Sequence, residues 1–464
     1  MTLLSGDPTA SFRREEPLRP EMRRKVQDAL EQLRVGWPKP SLTSNDPSLD
    51  RFSDVHLDEH TPCWLEHDFN HTNPAITSRR RNTNVSSLKQ LASDCQRPTT
   101  CSYEADQNDI QPPLCKSGSF AGRSVDVRLR KSSPVSSLDN RHDWDCDLFN
   151  LAESSERGPL YSLTNALIND NGLAEKLSIP TSALHNFLKG LEDGYEDVPY
   201  HNSIHASDVL HALSFFLHKS DLSYHLTSVE LFAAIIAAAA HDFRHPGVNN
   251  AFLINSGHEI AIRYNDKSVL ENHHAAETFN LLMKAHADIL SGLSRQERFK
   301  FRRILIVMIL GTDMSHHFSN VTEFKARMEA GLNLQEFEDR LEFLKFMLKC
   351  ADISNPAQEK SLAFAWAHRI TQEKLDQGKR EVELGIEVNG VSDEESFSTA
   401  RNQIDFIDFL VYPTLSLLWM FETSLHDTLE PRLKASRDAW CRQLEDEDLS
   451  CCSSFSSETR YEAM

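Results

Sequence analysis

Long apolar segments dominate the chain from Trp144 onward, and their spacing follows the period of an α-helix. Stretches such as DVLHALSFFLH, VELFAAIIAAAAH and RRILIVMILGT are apolar on one face or all round. Glycine is scarce inside them, prolines stand between them, and the apolar–polar alternation of a half-buried strand is nearly absent. The pattern predicts an all-α domain, a compact multi-helix bundle over residues 141–440.

The two ends of the chain have a different pattern. Residues 1–140 are rich in Ser, Pro, Asn, Asp and Arg without sustained periodicity, and residues 441–464 are acidic and serine-rich. We expect a mostly disordered N-terminal extension, with a regulatory role left open, and a disordered C-terminal tail. In the extension, Thr83 ends the string RRRNT and Ser133 lies in RKSSP. Upstream basic residues suit a basophilic protein kinase, and chance arginines in a solvated tail are the alternative.

Composition narrows the class of protein. The formal net charge is −20, so no basic surface is expected and a nucleic-acid partner is disfavoured. The nine cysteines form no CxxC pair, which favours reduced thiols and a cytoplasmic location. The longest apolar run, Leu231 to Ala240, is too short to span a bilayer, and the first residues lack the apolar core of a signal peptide. We expect an intracellular protein without a membrane span.

Ionisable residues interrupt the apolar segments at particular places. His201 and His205 are four residues apart, and His241 and Asp242 follow an alanine-rich run. Asp352 breaks the apolar string FLKFMLKCADI, where a buried carboxylate needs a partner. Taken alone, a histidine pair at this spacing is more often core or surface than metal ligand.

Further polar residues stand at the ends of other segments. VLENHH contains Glu271, His273 and His274, and GTDMSHH contains Asp313, which is also placed to cap a turn. Together, a histidine from one helix, a His-Asp pair from a second and an aspartate from a third make a mixed nitrogen and oxygen site. That donor set suits zinc or another transition ion, and a bridging aspartate would serve a second ion such as Mg²⁺ or Mn²⁺.

Six ordered motifs resemble those of the class I cyclic-nucleotide phosphodiesterases over about residues 144–425. They are YHNSIHASDV, AAAAHDFRHPGVNNAFL, YNDKSVLENHH, GTDMSHH, KCADISNP and NQIDFIDFLVYP. The resemblance implies a helical metallophosphohydrolase of the HD type. It further implies two-metal hydrolysis of the 3' ester bond of a 3',5'-cyclic nucleotide, with a nucleoside 5'-monophosphate as product and an end to the cyclic-nucleotide signal.

The resemblance also implies a role for each matching position. The ligands of a tightly bound Zn²⁺ would be His205, His241, Asp242 and Asp352, and Asp242 would bridge to a second ion, Mg²⁺ or Mn²⁺. His201 is similar to the general acid that protonates the departing 3' oxygen.

Three more positions resemble residues around the metals. Glu271 and His245 match residues that hold waters and histidines in place. Asp313 matches a carboxylate near the water shell of the second ion.

The resemblance implies a nucleotide site as well. Its residues would be Tyr200, Asp313, Met314, Asn355, Ile370, Gln403 and Phe406. Gln403 matches a purine-recognising glutamine, Phe406 lies three residues on and is placed to stack on the base, and Asn355 stands in a string typical of the cAMP-preferring branches. Lys374 departs from those branches, which usually carry a pocket aromatic there.

Several alternatives stay open from the sequence. A phosphodiesterase that uses both cAMP and cGMP differs only in the nucleotide pocket. Another HD-type nucleotide phosphohydrolase would share the metals without Gln403 and Phe406. A catalytically inert nucleotide-binding scaffold is less favoured, because all the ligand candidates and His201 are present, and protein purified without metal would favour it again. A di-iron bundle would require a second Glu-x-x-His pair beside Glu271–His274, and none is obvious.

Overall fold

A computed structural model describes residue 138 and residues 141–391 and 398–458, with only the backbone described for Asp221 and residues 447–458. Apart from residue 138, the predicted N-terminal extension, including Thr83 and Ser133, lies outside these residues. Every regular element in the described part is helical, which confirms the all-α prediction.

The helices follow one another with short connections. Those of the first half are α1 (Leu148–Ser154), α2 (Pro159–Asp170), α3 (Leu173–Lys176), α4 (Thr181–Glu192), α5 (Ser203–Lys219), α6 (Ser228–Ala239), α7 (Asn250–Asn255), α8 (Glu259–Tyr264) and α9 (Val269–Leu282). Those of the second half are α10 (Arg295–Leu310), α11 (His317–Ala330), α12 (Phe337–Asp352), α13 (Lys360–Leu384), α14 (Thr399–Phe406), α15 (Tyr412–Trp419) and α16 (Thr423–Glu458). A π-helical turn, Ile407–Val411, joins α14 to α15.

The alanine-rich helix α6 lies at the centre of the bundle. It packs against α5 and α10 and has no exposed residue after Leu231. Because alanine side chains are small, neighbouring helices approach this helix closely and hold its C-terminal end in place. Just past that end stand His241 and Asp242, so the packing of α6 decides where these two side chains lie.

A buried charged cluster fixes the other end of α6. Glu230 is fully buried and completes a capping box with Thr227. It accepts hydrogen bonds from Arg340 at 2.9 Å and from Lys300 at 3.1 Å. Burial raises the pKa of Glu230, but the hydrogen bonds from Arg340, Thr227 and Lys300 outweigh it, so the pKa is lower than usual.

The last helix continues beyond the expected end of the domain. Helix α16 runs to Glu458, whereas the sequence analysis expected a disordered tail from residue 441. Cys441 and Leu444 still pack against the core. No glycine or proline stands between residues 432 and 458, and extending an existing helix costs far less than starting one.

Among the described residues, no helix is both long enough and apolar enough to cross a membrane.

We expect Arg340→Met to lower the free energy of unfolding by about 3 kcal/mol, because it removes one partner of a buried ion pair. Arg303→Met is the matched control, since Arg303 pairs with Glu338 and both side chains are more than half exposed. That change should cost less than about 1 kcal/mol. Urea denaturation of both variants measures the difference, and equal losses would contradict the structural role of the buried cluster.

Candidate metal centre and active site

Three regions of the chain bring four side chains to one point. His205 stands in the first turn of α5, His241 and Asp242 follow α6, and Asp352 is the last residue of α12. One possible ligand atom from each lies within 4.8 Å of the others. His241 Nε2 is 3.0 Å from Asp242 Oδ2 and 3.4 Å from Asp352 Oδ1, and His205 Nε2 is 3.3 Å from Asp352 Oδ1.

The donor atoms of this cluster fit a metal ion. His205 and His241 are fully buried, and their Nε2 atoms have no hydrogen-bond partner. His241 Nδ1 donates to the carbonyl of Ala238 at 2.9 Å, which leaves the lone pair on Nε2. Buried polar atoms without partners are costly, so the geometry calls for a cation between them. Two imidazoles and two carboxylates form the mixed set that suits a transition ion.

The carboxylates of the cluster are ionised. Burial by itself raises the pKa of Asp242, but the nearby His241 and His205 hold it well below its usual value. The nearby His205 and His241 also lower the pKa of Asp352 against the effect of burial. The cluster therefore offers two negative charges to a cation.

Beside the cluster, His201 is held by a carboxylate that the sequence analysis did not identify. Glu373 of α13 accepts a hydrogen bond from His201 Nδ1, and also from the backbone N–H groups of Tyr200 at 2.9 Å and His201 at 3.1 Å. Burial lowers the pKa of His201, but Glu373 raises it to about 9. Burial likewise raises the pKa of Glu373, and His201 brings it to about 2. The pair is an imidazolium and a carboxylate at neutral pH.

Two further histidines in the site are neutral. The ring of His245 stacks on that of His201 at 4.0 Å and on that of His274 at 5.6 Å. Burial and the positive charge of His201 keep the pKa of His245 well below its usual value, and burial lowers that of His274 to about 4. His274 donates through Nδ1 to the carbonyl of Phe243 at 2.7 Å, with Nε2 3.7 Å from Asp242. The sequence analysis noted His274 without giving it a role.

Glu271 and Asp313 lie on another side of the centre. Both oxygens of Glu271 accept from Asn250 Nδ2, at 3.2 and 3.3 Å. Burial, and then the charge of Asp313, raises the pKa of Glu271 to about 8. Asp313 accepts from Ser268 Oγ at 2.6 Å and from the backbone N–H of Ser315 at 2.8 Å, so it caps the turn Met314–His316. The bond to Ser315 gives Asp313 the turn-capping role that the sequence analysis named as an alternative.

Two of the residues expected to bind the nucleotide lie beside Tyr200. Asn355 Nδ2 donates to the Tyr200 hydroxyl at 2.7 Å, and Ile370 packs against the cluster that contains Tyr200. The other expected residues, Met314 and Phe406, are half-buried and pack against the main core.

Gln403 is half-buried on α14, the helix next to the one that carries Ile370. The hydroxyls of Thr371 and Thr399 lie 3.4 Å apart where these two helices, α13 and α14, meet. Gln403 lies one helical turn after Thr399, and Ile370 is adjacent to Thr371, so both residues stand near the point where the two helices meet.

A comparison with known families gives a match over this region. Residues 200–431 match the sequence profile of the family described as 3'5'-cyclic nucleotide phosphodiesterase, which is half of the chain. The chain belongs to this family. The match begins at Tyr200, next to His201, and extends past Gln403 and Phe406. It therefore includes every residue of the candidate metal centre and active site described in this subsection.

Individual relatives agree with the family. The chain is 39% identical over 284 residues to the rat protein named 3',5'-cyclic-AMP phosphodiesterase 4C, covering 60% of this chain and 53% of that one. It is 40% identical over 278 residues to the Caenorhabditis elegans protein named probable 3',5'-cyclic-AMP phosphodiesterase pde-4, covering 58% and 41%. The chain thus spans about half or less of the length of these curated relatives.

The fold has a solved counterpart. The phosphodiesterase domain of the RhoPDE fusion protein from the choanoflagellate Salpingoeca rosetta superposes with a TM-score of 0.62 at 30% identity. The match covers 68% of this chain and 98% of that domain. The family predicted from the six motifs is therefore confirmed, together with its all-α architecture.

We expect His205→Ala to abolish tight metal binding, because it removes a buried nitrogen from the four-ligand cluster. His218→Ala is the matched control, since His218 is an exposed histidine on the same helix. Elemental analysis after dialysis against metal gives the bound stoichiometry. Retention of a full equivalent by the His205 variant would exclude His205 as a ligand.

Proposed function

We propose that this phosphodiesterase-family chain hydrolyses 3',5'-cyclic nucleotides, with cAMP preferred over cGMP, and releases the nucleoside 5'-monophosphate. The observation that carries the proposal is the position of the charged His201 beside the four-ligand cluster. An acid and a metal centre next to one another are the two elements needed to cleave a phosphodiester with a poor leaving group.

Metal binding at the cluster is assigned to His205, His241, Asp242 and Asp352. We infer that these residues would hold Zn²⁺, and that Asp242 would also contribute to a second site for Mg²⁺ or Mn²⁺. The chemistry that such ions would supply is positive charge, which would neutralise the phosphodiester and make the attacking water easier to ionise.

His201 supplies the proton that the reaction needs. Water adds its oxygen to phosphorus and gives up one proton to the solvent. The bond from phosphorus to the 3' oxygen breaks with its electron pair going to that oxygen, which takes the proton from His201. The solvent then reprotonates His201. The carboxylate of Glu373 keeps His201 charged before this step and fixes the direction of its ring. His245 stacks on the ring of His201 and is neutral, so His201 is the charged member of this stacked histidine pair.

The remaining residues position the reactants. We assign Glu271 and His245 to holding waters and histidine rings, Gln403 to hydrogen bonding with the purine edge, and Phe406 to stacking on the base against Ile370. Asn355, Tyr200 and Met314 complete the slot, with Asp313 at its metal side.

The preference for cAMP is supported by the names of the two relatives and by the Asn355–Pro356 string. A cytoplasmic location and a kinase acting at Thr83 or Ser133 remain predictions from the sequence.

We expect the purified chain with Mg²⁺ to hydrolyse cAMP faster than cGMP at equal low concentration, and chelation to stop both reactions. Product chromatography measures both rates side by side. Equal rates would keep the mechanism and replace the preference by dual specificity. Metal-loaded protein that hydrolyses neither substrate would favour another nucleotide phosphate or an inert scaffold.

We expect Glu373→Gln to move the alkaline limb of the rate profile to lower pH. Protonated His201 is the active form, so turnover falls as the pH rises through its pKa, and Glu373 is what raises that pKa. Glu383→Gln, an exposed carboxylate on the same helix, is the control and should leave the profile unchanged. An unmoved limb in the Glu373 variant would remove His201 from the role of acid.

A further inference from the structure

A bidentate ion pair between Arg437 and Asp408 joins the C-terminal helix α16 to the segment that follows α14. Arg437 Nε lies 2.6 Å from Asp408 Oδ1, and Arg437 Nη2 lies 2.6 Å from Asp408 Oδ2. Both side chains are about one-fifth exposed. A planar guanidinium that meets both carboxylate oxygens fixes orientation as well as distance.

Asp408 lies on the side of its helix away from the expected base-binding residues. By the 3.6-residue period it is roughly 200° around the axis from Phe406 and roughly 140° from Gln403. The buried stripe of Ala400, Ile404 and Ile407 lies between the two flanks. An ion pair that fixes Asp408 therefore fixes the rotation of its helix and the direction in which Gln403 and Phe406 point.

The Arg437–Asp408 ion pair matters more for the rotation of this segment because Asp408 lies in the π-helical turn. Asp408 is the second residue of the turn Ile407–Val411, where the regular hydrogen-bond ladder of the helix is interrupted. An interrupted ladder constrains rotation less than a continuous one. The ion pair to Arg437 supplies a constraint at that point from a different helix.

The same C-terminal helix also packs against α13, the helix that carries Ile370. The ring of Trp440 stacks on Phe364 of α13 at 3.7 Å with an interplanar angle of 3°. Ile370 lies further along α13. Within one turn, α16 thus contacts the helix that carries Ile370 and the segment continuous with Gln403 and Phe406.

We propose that Arg437, acting through Asp408, is a positioning residue for the nucleotide base. It aims Gln403 and Phe406 across the slot at Ile370, and the C-terminal helix thereby sets base affinity without touching the substrate. This inference rests on the proposed function, because it assigns the purine to that slot.

The test is the steady-state kinetics of Arg437→Met in the full chain. We expect KM for cAMP to rise about tenfold while kcat stays within about twofold, because base binding is lost equally from ground state and transition state. Arg437→Lys keeps the positive charge but cannot make the planar bidentate contact with Asp408, so it should also raise KM. The exchange of Asp408→Arg with Arg437→Asp should recover part of the loss.

Arg432→Met is the matched control. Arg432 lies on the same helix and pairs through two nitrogens with Asp145, which belongs to neither wall of the slot. Removing it loosens α16 without freeing Asp408, so KM should stay unchanged. An equal rise in KM for Arg432→Met, or no rise for Arg437→Met and Arg437→Lys, would overturn the proposal.

Equilibrium binding of AMP gives a readout that does not need turnover. We expect its Kd to rise about tenfold in Arg437→Lys and to stay constant in Arg432→Met, since AMP carries the same base. If wild-type protein does not hydrolyse cAMP, the proposed function fails, and the AMP comparison still decides the role of Arg437. An unchanged Kd across these variants would count against it.

Discussion

The architecture depends on the convergence of His205, His241, Asp242 and Asp352 from three separate regions of the chain. Two of these side chains are fully buried imidazoles whose Nε2 atoms have no partner within the described protein. Such an arrangement is unfavourable without a cation, so the apolar bundle must be rigid enough to hold it. The closely packed helix α6 and its buried anchor at Glu230 provide that rigidity.

Around the candidate metal centre, side chains of one type are held in different protonation states by their neighbours. His201 has a carboxylate against Nδ1 and is held as an imidazolium, whereas His245 and His274 are buried beside it and stay neutral. Glu373 is ionised by its contact with His201, while Glu271 is pushed toward its protonated form. This separation of protonation states places one charged imidazole beside two neutral ones.

The residues proposed to bind the nucleotide are held differently from the candidate metal ligands. The four candidate ligands stand at or near helix ends fixed by the central core, whereas Ile370 and Gln403 lie on α13 and α14. These two helices meet at the hydroxyls of Thr371 and Thr399, and the C-terminal helix contacts both of them. The proposed metal centre and the proposed base site are therefore supported by separate parts of the bundle.

The sequence by itself determined the all-α class and the family, because helical periodicity and ordered motifs are local properties of the chain. It also identified the four clustered ligand candidates, since polar residues that interrupt apolar helices are conspicuous. Only the tertiary structure decided that Glu373 partners His201, because a lone carboxylate in an amphipathic helix resembles any solvated one. The same holds for Arg437 and Asp408, whose pairing spans 29 residues. Contacts between distant helices depend on packing angles and helix rotation, which residue spacing along the chain does not specify.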